Sequence, residues 1–327
     1  MARLQFSAVV VLALASSLAA AAETTVSDSY YEDNLLDTIH YQLPQHQWSA
    51  TAAATTHLND ASMTTQQGGV GTYGYTRTSW SSAVTASYGI TDQLTVGIGE
   101  TYLFGEGTTR TQESTGNVVG YSAKGFSDPT LSVSYRYWGG QTGTHFGNAY
   151  INVTPALGTR QLDSTAQIGN DLNASSEIAI GTNLIWVAKN QEFALEPHLQ
   201  YYTSGSASDA TAANSYNINS YNYLAMDAAW RFHFLKNYFV EGVIDFIGPI
   251  NWSQIYSNRV TPLSISYTTP FYMEPQLVAG WKVKDNFLMV LNFTYVSDQT
   301  NFTQSTGGQF TSQELRDDVT LTAHYLF

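Results

Sequence analysis

Residues 223–248 read YLAMDAAWRFHFLKNYFVEGVIDFIG. Leu224, Met226, Ala228, Trp230, Phe232 and Phe234 take every second position, while Tyr223, Asp227, Arg231 and His233 fall on the alternate ones. After the tight turn Leu235-Lys236-Asn237, Val240, Ile244 and Phe246 are set against Glu241 and Asp245. Side chains leave a strand on opposite faces with period two, so this is a hairpin whose faces meet different solvents. An apolar face that meets lipid and a charged face that lines a lumen is the pattern of a membrane β-barrel.

The pattern recurs from Gln47 onward. Tight turns are expected at ITDQ (90–93), GGQTG (139–143), AKNQ (188–191), LKN (235–237) and KDN (284–286), roughly 47 to 50 residues apart. Between them lie stretches rich in Gly, Ser, Thr, Asn and Asp, expected as long loops: 59–72, 106–124, 161–172, 204–220, 249–263 and 298–313. One hairpin and one long loop per unit give twelve strands, at 47–58, 74–90, 94–105, 127–138, 147–158, 174–187, 192–203, 221–234, 238–248, 269–283, 287–297 and 315–327. Segments of about ten residues, tilted near 45°, cover an apolar band about 25 Å tall. The fold class expected is all-β, a transmembrane antiparallel up-and-down barrel of twelve strands, with both termini on the short-turn side. A β-propeller would require four short strands per unit with charged outer faces; here each unit holds two long strands whose outer faces carry Leu, Val, Ile, Phe, Tyr and Trp.

Composition agrees. Charged residues make up 12% and aromatics 13%, with 22 Tyr, whereas soluble domains average about 25% charged. Tyr88, Tyr102, Phe104, Trp138, Trp186, Phe234, Trp281, Phe287 and Tyr325 recur beside the expected turns, where aromatic rings form interfacial girdles. There is no cysteine, which excludes disulfide scaffolds, thiolate metal sites and cysteine nucleophiles. A formal net charge of −13 argues against a nucleic-acid partner.

Residues 1–22 read as a signal peptide, with Arg3 as the positive segment, AVVVLALA (8–15) as the apolar core and Ala20, Ala21 and Ala22 as the small-residue cleavage site. The expected location is therefore the bacterial outer membrane, reached by export. Residues 23–46 do not alternate and have two readings, a periplasmic leader or a segment that enters the lumen. The barrel is expected over 47–327.

The stretch VTLTAHYLF (319–327) alternates to its last residue. Val319, Leu321, Ala323, Tyr325 and Phe327 form a lipid-facing stripe, and Thr320, Thr322 and His324 face inward. This strand must pair with the first, near Trp48, to close the barrel. Its terminal Phe327, with Tyr325 two residues earlier, resembles the signal read by the outer-membrane assembly machinery. That machinery and the outer-membrane lipids are the expected partners, beside a small solute.

Two stretches carry a further resemblance. YGITDQLTVGIGETYLFGEG (88–107) and GFSDPTLSVSYRYW (125–138), joined by GWKVKDNFLMVLNFTYV (280–296), resemble the outer-membrane transporters of the meta-pathway phenol-degradation family. The resemblance implies a barrel that passes small aromatic or hydrophobic molecules.

An ionisable group facing lipid costs several kcal/mol, so alternation places the strand charges inside. The lumen-lining candidates are Arg136, Glu196, His198, Asp227, Arg231, His233, Glu241, Asp245 and Glu274, with Arg77, Glu177, Gln200, Lys282, Asp318 and His324. They can form a paired network that fills the lumen, or a lining that selects solutes by charge. The group from Glu196 to Asp245 is net acidic, which favours cations or neutral solutes. His198 and His233 with Glu196 and Asp227 could also form an acid–base or metal constellation. No histidine, however, lies in the His-x-Ser signature that an outer-membrane lipase would show. No catalytic residue, metal or cofactor is expected. Twelve strands lie between filled eight-stranded barrels and open 16-stranded pores. The function expected is a narrow channel or facilitator for small solutes; the alternative is a closed structural or surface-binding barrel that uses its long loops.

Deleting Phe327 should impair assembly of the barrel. Heat-modifiable electrophoretic mobility of the protein in isolated outer membranes checks this, and a normal folded band from the truncated chain would refute the assembly role.

Overall fold

The computed structural model describes residues 42–66, 73–112, 117–139, 144–161, 169–188, 190–208, 215–235, 237–256 and 262–327. The expected signal peptide and residues 23–41 lie outside them. The described strands are β1 (Trp48–Gln66), β2 (Tyr73–Thr91), β3 (Leu94–Gln112), β4 (Asn117–Phe126), β5 (Thr130–Trp138), β6 (His145–Thr154), β7 (Arg160–Gln161), β8 (Glu177–Ala188), β9 (Gln191–Tyr202), β10 (Gly205–Ser208), β11 (Tyr216–Ile218), β12 (Tyr221–Phe234), β13 (Tyr238–Ile247), β14 (Ile250–Tyr256), β15 (Leu263–Thr269), β16 (Tyr272–Lys284), β17 (Phe287–Gln304) and β18 (Gln309–Leu326).

Twelve of these close a barrel. The ladder runs β1–β2–β3–β5–β6–β8–β9–β12–β13–β16–β17–β18 and returns to β1, antiparallel at every step. At the seam the Trp48 N–H donates to the Phe327 carbonyl at 3.4 Å and the Phe327 N–H donates to the Trp48 carbonyl at 3.0 Å. The two faces separate as alternation requires. On β16, Met273 and Trp281 are 46% and 45% exposed, whereas the inward Val278 and Lys282 are 8% and 2% exposed. The inside at the short-turn end is packed by two apolar clusters, Phe146, Ile185, Val187 and Ala194 on one side and Phe239, Val278 and Leu288 on the other.

The expected long loops need correction. β1 continues to Gln66, β3 to Gln112 and β17 to Gln304, and β18 begins at Gln309. Above the membrane-spanning part, β4 pairs with β3, β14 with β15 and β11, β15 with β17, β11 with β10, and β7 runs parallel to β10. The wall thus continues outward as strand. Polar composition reports that both faces of these segments meet water, and says little about whether the backbone stays paired. At the sixth barrel strand the expectation began at 174, whereas β8 begins at Glu177.

Local packing shows how small residues shape the lumen. Gly280 and Phe239 are direct cross-strand partners, and a Cβ on Gly280 would overlap the Phe239 ring. Gly280→Val should destabilise the barrel by about 1–3 kcal/mol through overpacking. Urea unfolding of the vesicle-reconstituted protein checks this; adding Phe239→Ala should recover part of the loss, and additive effects would refute the contact.

Candidate functional site

The lumen wall is built in tiers, each fixed by strand register. Nearest the short turns, Glu192 at the start of β9 and His233 near the end of β12 meet with His233 Nε2 2.6 Å from Glu192 Oε1. They are 0% and 2% exposed. Arg231, two residues back on the same face, donates through Nε at 2.6 Å and lies with Nη2 2.5 Å from the same Glu241 oxygen, Oε2. Its guanidinium lies 4.0 Å over the Phe239 ring. Across the barrel, Arg136 lies 4.3 Å over the Phe146 ring and donates from Nε to Asn148 Oδ1 at 3.0 Å. These cations are covered by aromatic faces and held by oxygen acceptors, which is how a buried charge is tolerated.

Above this layer lies a row of carboxylates. Asp227 on β12 is the direct cross-strand partner of Glu196 on β9 and of Asp245 on β13, and Asp245 is the partner of Glu274 on β16. Four acids on four adjacent strands therefore stand side by side on the inner face, about 5 Å apart. Like charges directly opposite repel, and donors offset this. The Tyr150 hydroxyl donates to Glu196 Oε1 at 2.6 Å. Gln276 Nε2 donates to Asp245 Oδ2 at 2.5 Å, while its Oε1 accepts from Asn292 Nδ2 at 2.9 Å, so the amide is oriented from behind. His198 Nδ1 lies 4.0 Å from Asp227 Oδ2. Gly181 makes room for the first of these contacts, because a Cβ there would stand 2.6 Å from the Tyr150 hydroxyl and 2.7 Å from His198 Cβ.

Donor atoms of Glu196, His198 and Asp227 all lie within 4.8 Å of one another, so these three could hold a cation. His233 does not join them. It sits six residues along β12 from Asp227, about 20 Å away at 3.3 Å per residue, and is bound to Glu192 instead. The four-residue acid–base constellation is thus divided between two tiers.

The opposite wall is lined by small residues. Thr51 and Thr55 of β1 face inward and meet His324 Nδ1 and the Thr320 hydroxyl of β18 at 3.0 and 2.9 Å. Gly97 of β3 stands between Ser87 and Ser132, where a Cβ would lie 2.7 and 2.5 Å from their hydroxyls. At the short-turn end, residues 42–44 lie against this wall. Gln42 donates from Nε2 to Thr95 Oγ1 at 2.7 Å and accepts from the Ser134 hydroxyl at 3.0 Å, and the Leu43 N–H donates to Thr95 Oγ1 at 3.3 Å. Both side chains are buried.

Arg136, Glu196, His198, Asp227, Arg231, His233, Glu241, Asp245 and Glu274, the expected lining candidates, each belong to a strand of the barrel. Glu192 and Gln276 share parity with Glu196 and Glu274, and parity alone could have found them. Tyr150 could not be told from a girdle tyrosine. Asp318, also placed inside, pairs with His57 Nδ1 and accepts from Arg316 Nε at 2.9 Å.

No protein-family model matches the chain, and no curated protein is significantly similar in sequence. Its fold is similar to that of solved bacterial outer-membrane barrels. The COG4313 outer membrane channel from Pseudomonas putida F1 superposes with a TM-score of 0.59 at 10% identity, over 89% of this chain and 100% of that one. The outer membrane protease OmpT from Escherichia coli gives 0.44 at 9% identity, over 89% and 99%. The TodX monoaromatic hydrocarbon channel (deltaS2 mutant) gives 0.47 at 7%, over 87% and 91%. At these identities the likeness concerns fold alone.

Breaking the buried pair at the short-turn end should be costly. Glu192→Ala should lower stability by about 3–5 kcal/mol by leaving a buried partner uncompensated, whereas Glu192→Leu combined with His233→Phe should restore most of it. Denaturant unfolding midpoints of the three proteins check this, and a midpoint unchanged by Glu192→Ala would refute it.

Proposed function

We propose that this chain is a bacterial outer-membrane channel or facilitator that passes small neutral or positively charged solutes through a narrow lumen. The observation that carries it is the row Glu196, Asp227, Asp245 and Glu274, held side by side across four strands and facing a wall of Ser, Thr and Gly. A wall of carboxylates facing a wall of small hydroxyls offers hydrogen bonds to a solute and repels anions. The closed apolar band supports a place in a membrane, and the family resemblance of residues 88–107 and 125–138 supports small aromatic or hydrophobic cargo. The reading needs no chemistry from the histidines, and it makes the protein a conduit rather than an enzyme.

One observation favours the alternative of a closed structural barrel. At the short-turn end Arg136, Glu192, His233 and Lys282 are buried, and such a layer can seal the lumen. Planar-bilayer recording separates the two readings. The refolded protein, with and without residues 23–46, should conduct, and its reversal potential in a salt gradient should show cation preference. Asp227→Asn with Asp245→Asn should move that potential toward zero. Absence of both conductance and liposome uptake in either form would establish the closed barrel instead.

A further inference from the structure

Seven aromatic rings form a continuous chain on the lumen-facing side of the wall. Phe310 and Phe302 stack at 4.8 Å between ring centroids, Phe302 meets Tyr267 at 5.5 Å, and Tyr267 stacks on Trp252 at 3.9 Å with 7° between planes. Trp252 meets Tyr221 at 6.1 Å, Tyr221 stacks on Tyr202 at 4.6 Å, and Tyr202 meets Tyr223 at 6.4 Å. The chain crosses six strands, the outer strands β14 and β15 and the barrel strands β9, β12, β17 and β18. Parity assigns its face. On β17 the even positions are covered and Leu291, Phe293, Gln299, Asn301 and Thr303 are exposed, so Phe302 shares the face of Leu288 and Val296. Tyr267 is the direct partner of Phe302, Trp252 of Tyr267, and Tyr221 of Tyr202.

Interfacial girdle aromatics face lipid, whereas these lie on the inward face of the wall. Each ring is half-buried, and none belongs to the apolar clusters that pack the short-turn end. The surroundings are acidic and hydrogen-bonding. The Tyr267 and Tyr256 hydroxyls both donate to Gln254 Oε1, at 2.9 and 3.2 Å. Tyr202 is the cross-strand partner of Glu177, Asp298 and Glu314 are cross-strand partners four residues along β17 and β18 from the pair Phe302 and Phe310, and Arg316 is engaged by Glu314 and Asp318. From Tyr223 the same face of β12 leads to Asp227, four residues or about 13 Å deeper.

We infer that this chain of rings is a stacking path for planar aromatic solutes that are neutral or positively charged, an assignment of solute class that rests on the channel reading. An aromatic ring gains by edge contact with the inward edges of Trp, Tyr and Phe, and a cation gains further from the acids beside and below them. A carboxylated aromatic meets the same rings and is repelled by the acids flanking and following them. A ladder of neighbouring rings also lets a solute pass from one ring edge to the next without returning to water.

The test measures binding apart from transport. Benzylamine, benzyl alcohol, benzoate and cyclohexylmethylamine are titrated calorimetrically into the full, detergent-folded protein, with maltotriose as a sugar control. Benzylamine should bind tightest and benzyl alcohol next, with benzoate and cyclohexylmethylamine each at least roughly tenfold weaker than benzylamine, the scale of losing one good ring contact. Trp252→Ala with Tyr267→Ala should weaken benzylamine about tenfold or more, and Trp252→Phe should stay within about threefold of the parent. Folding of each variant is verified by heat-modifiable mobility, and the solute series on the unaltered protein needs no variant. Equal binding of benzoate and benzylamine, equal binding of the cyclohexyl amine, or binding of maltotriose in place of the aromatics would overturn the inference. Liposome uptake of benzylamine is measured separately: binding without uptake would leave the stacking site standing and sink the channel.

Discussion

Everything in this molecule depends on backbone hydrogen bonds that have no alternative partner. Inside a bilayer an unpaired N–H or C=O costs several kcal/mol, so a sheet in lipid must have no edge. The seam between β1 and β18 removes the last one, and its final contacts are the two backbone bonds between Trp48 and Phe327. Once that seam is made, the number of barrel strands is even, the two ends of the barrel chain lie together, and every side chain is committed to lipid or lumen by its parity. A one-residue slip in any pair would turn acids outward and leucines inward.

The lumen follows from that commitment. The acids Glu196, Asp227, Asp245 and Glu274 stand in one row because the registers of three successive strand pairs bring them level. Such a row is unfavourable in itself, and Tyr150, Gln276 and His198 moderate it. Buried ion pairs are weak sources of stability, since apolar residues of the same volume often do as well. The stability of the barrel by itself therefore gives no reason for the polarity of its lumen. The aromatic chain above continues the same logic, with apolar faces set in a strongly hydrogen-bonded rim.

Much of this was legible in residues 223–248. The contrast between Leu224, Met226 and Trp230 on one side and Asp227, Arg231 and His233 on the other needs only period two to be read. Other features were hidden for identifiable reasons. Glu192 stands next to a turn, where alternation is hardest to phase. Tyr150 is the same residue type as the girdle tyrosines, and only the bond to Glu196 distinguishes it. Trp252 and Tyr267 lie in segments whose Ser, Thr and Asn content suggested loop, although β14 and β15 are paired strands there. Composition records which solvent a face meets, and in water a paired and an unpaired polar segment look alike.

The amino-acid sequence by itself determined the class of fold, the strand number and the sorting of residues between lipid and lumen, because period-two alternation is a local property that survives in one dimension. Only the tertiary structure decided which acids stand together, that His233 belongs to Glu192 rather than to His198, and that seven rings from β9, β12, β14, β15, β17 and β18 meet on one face. Those outcomes depend on register between strands distant in the chain, and register is set by closure of the whole wall.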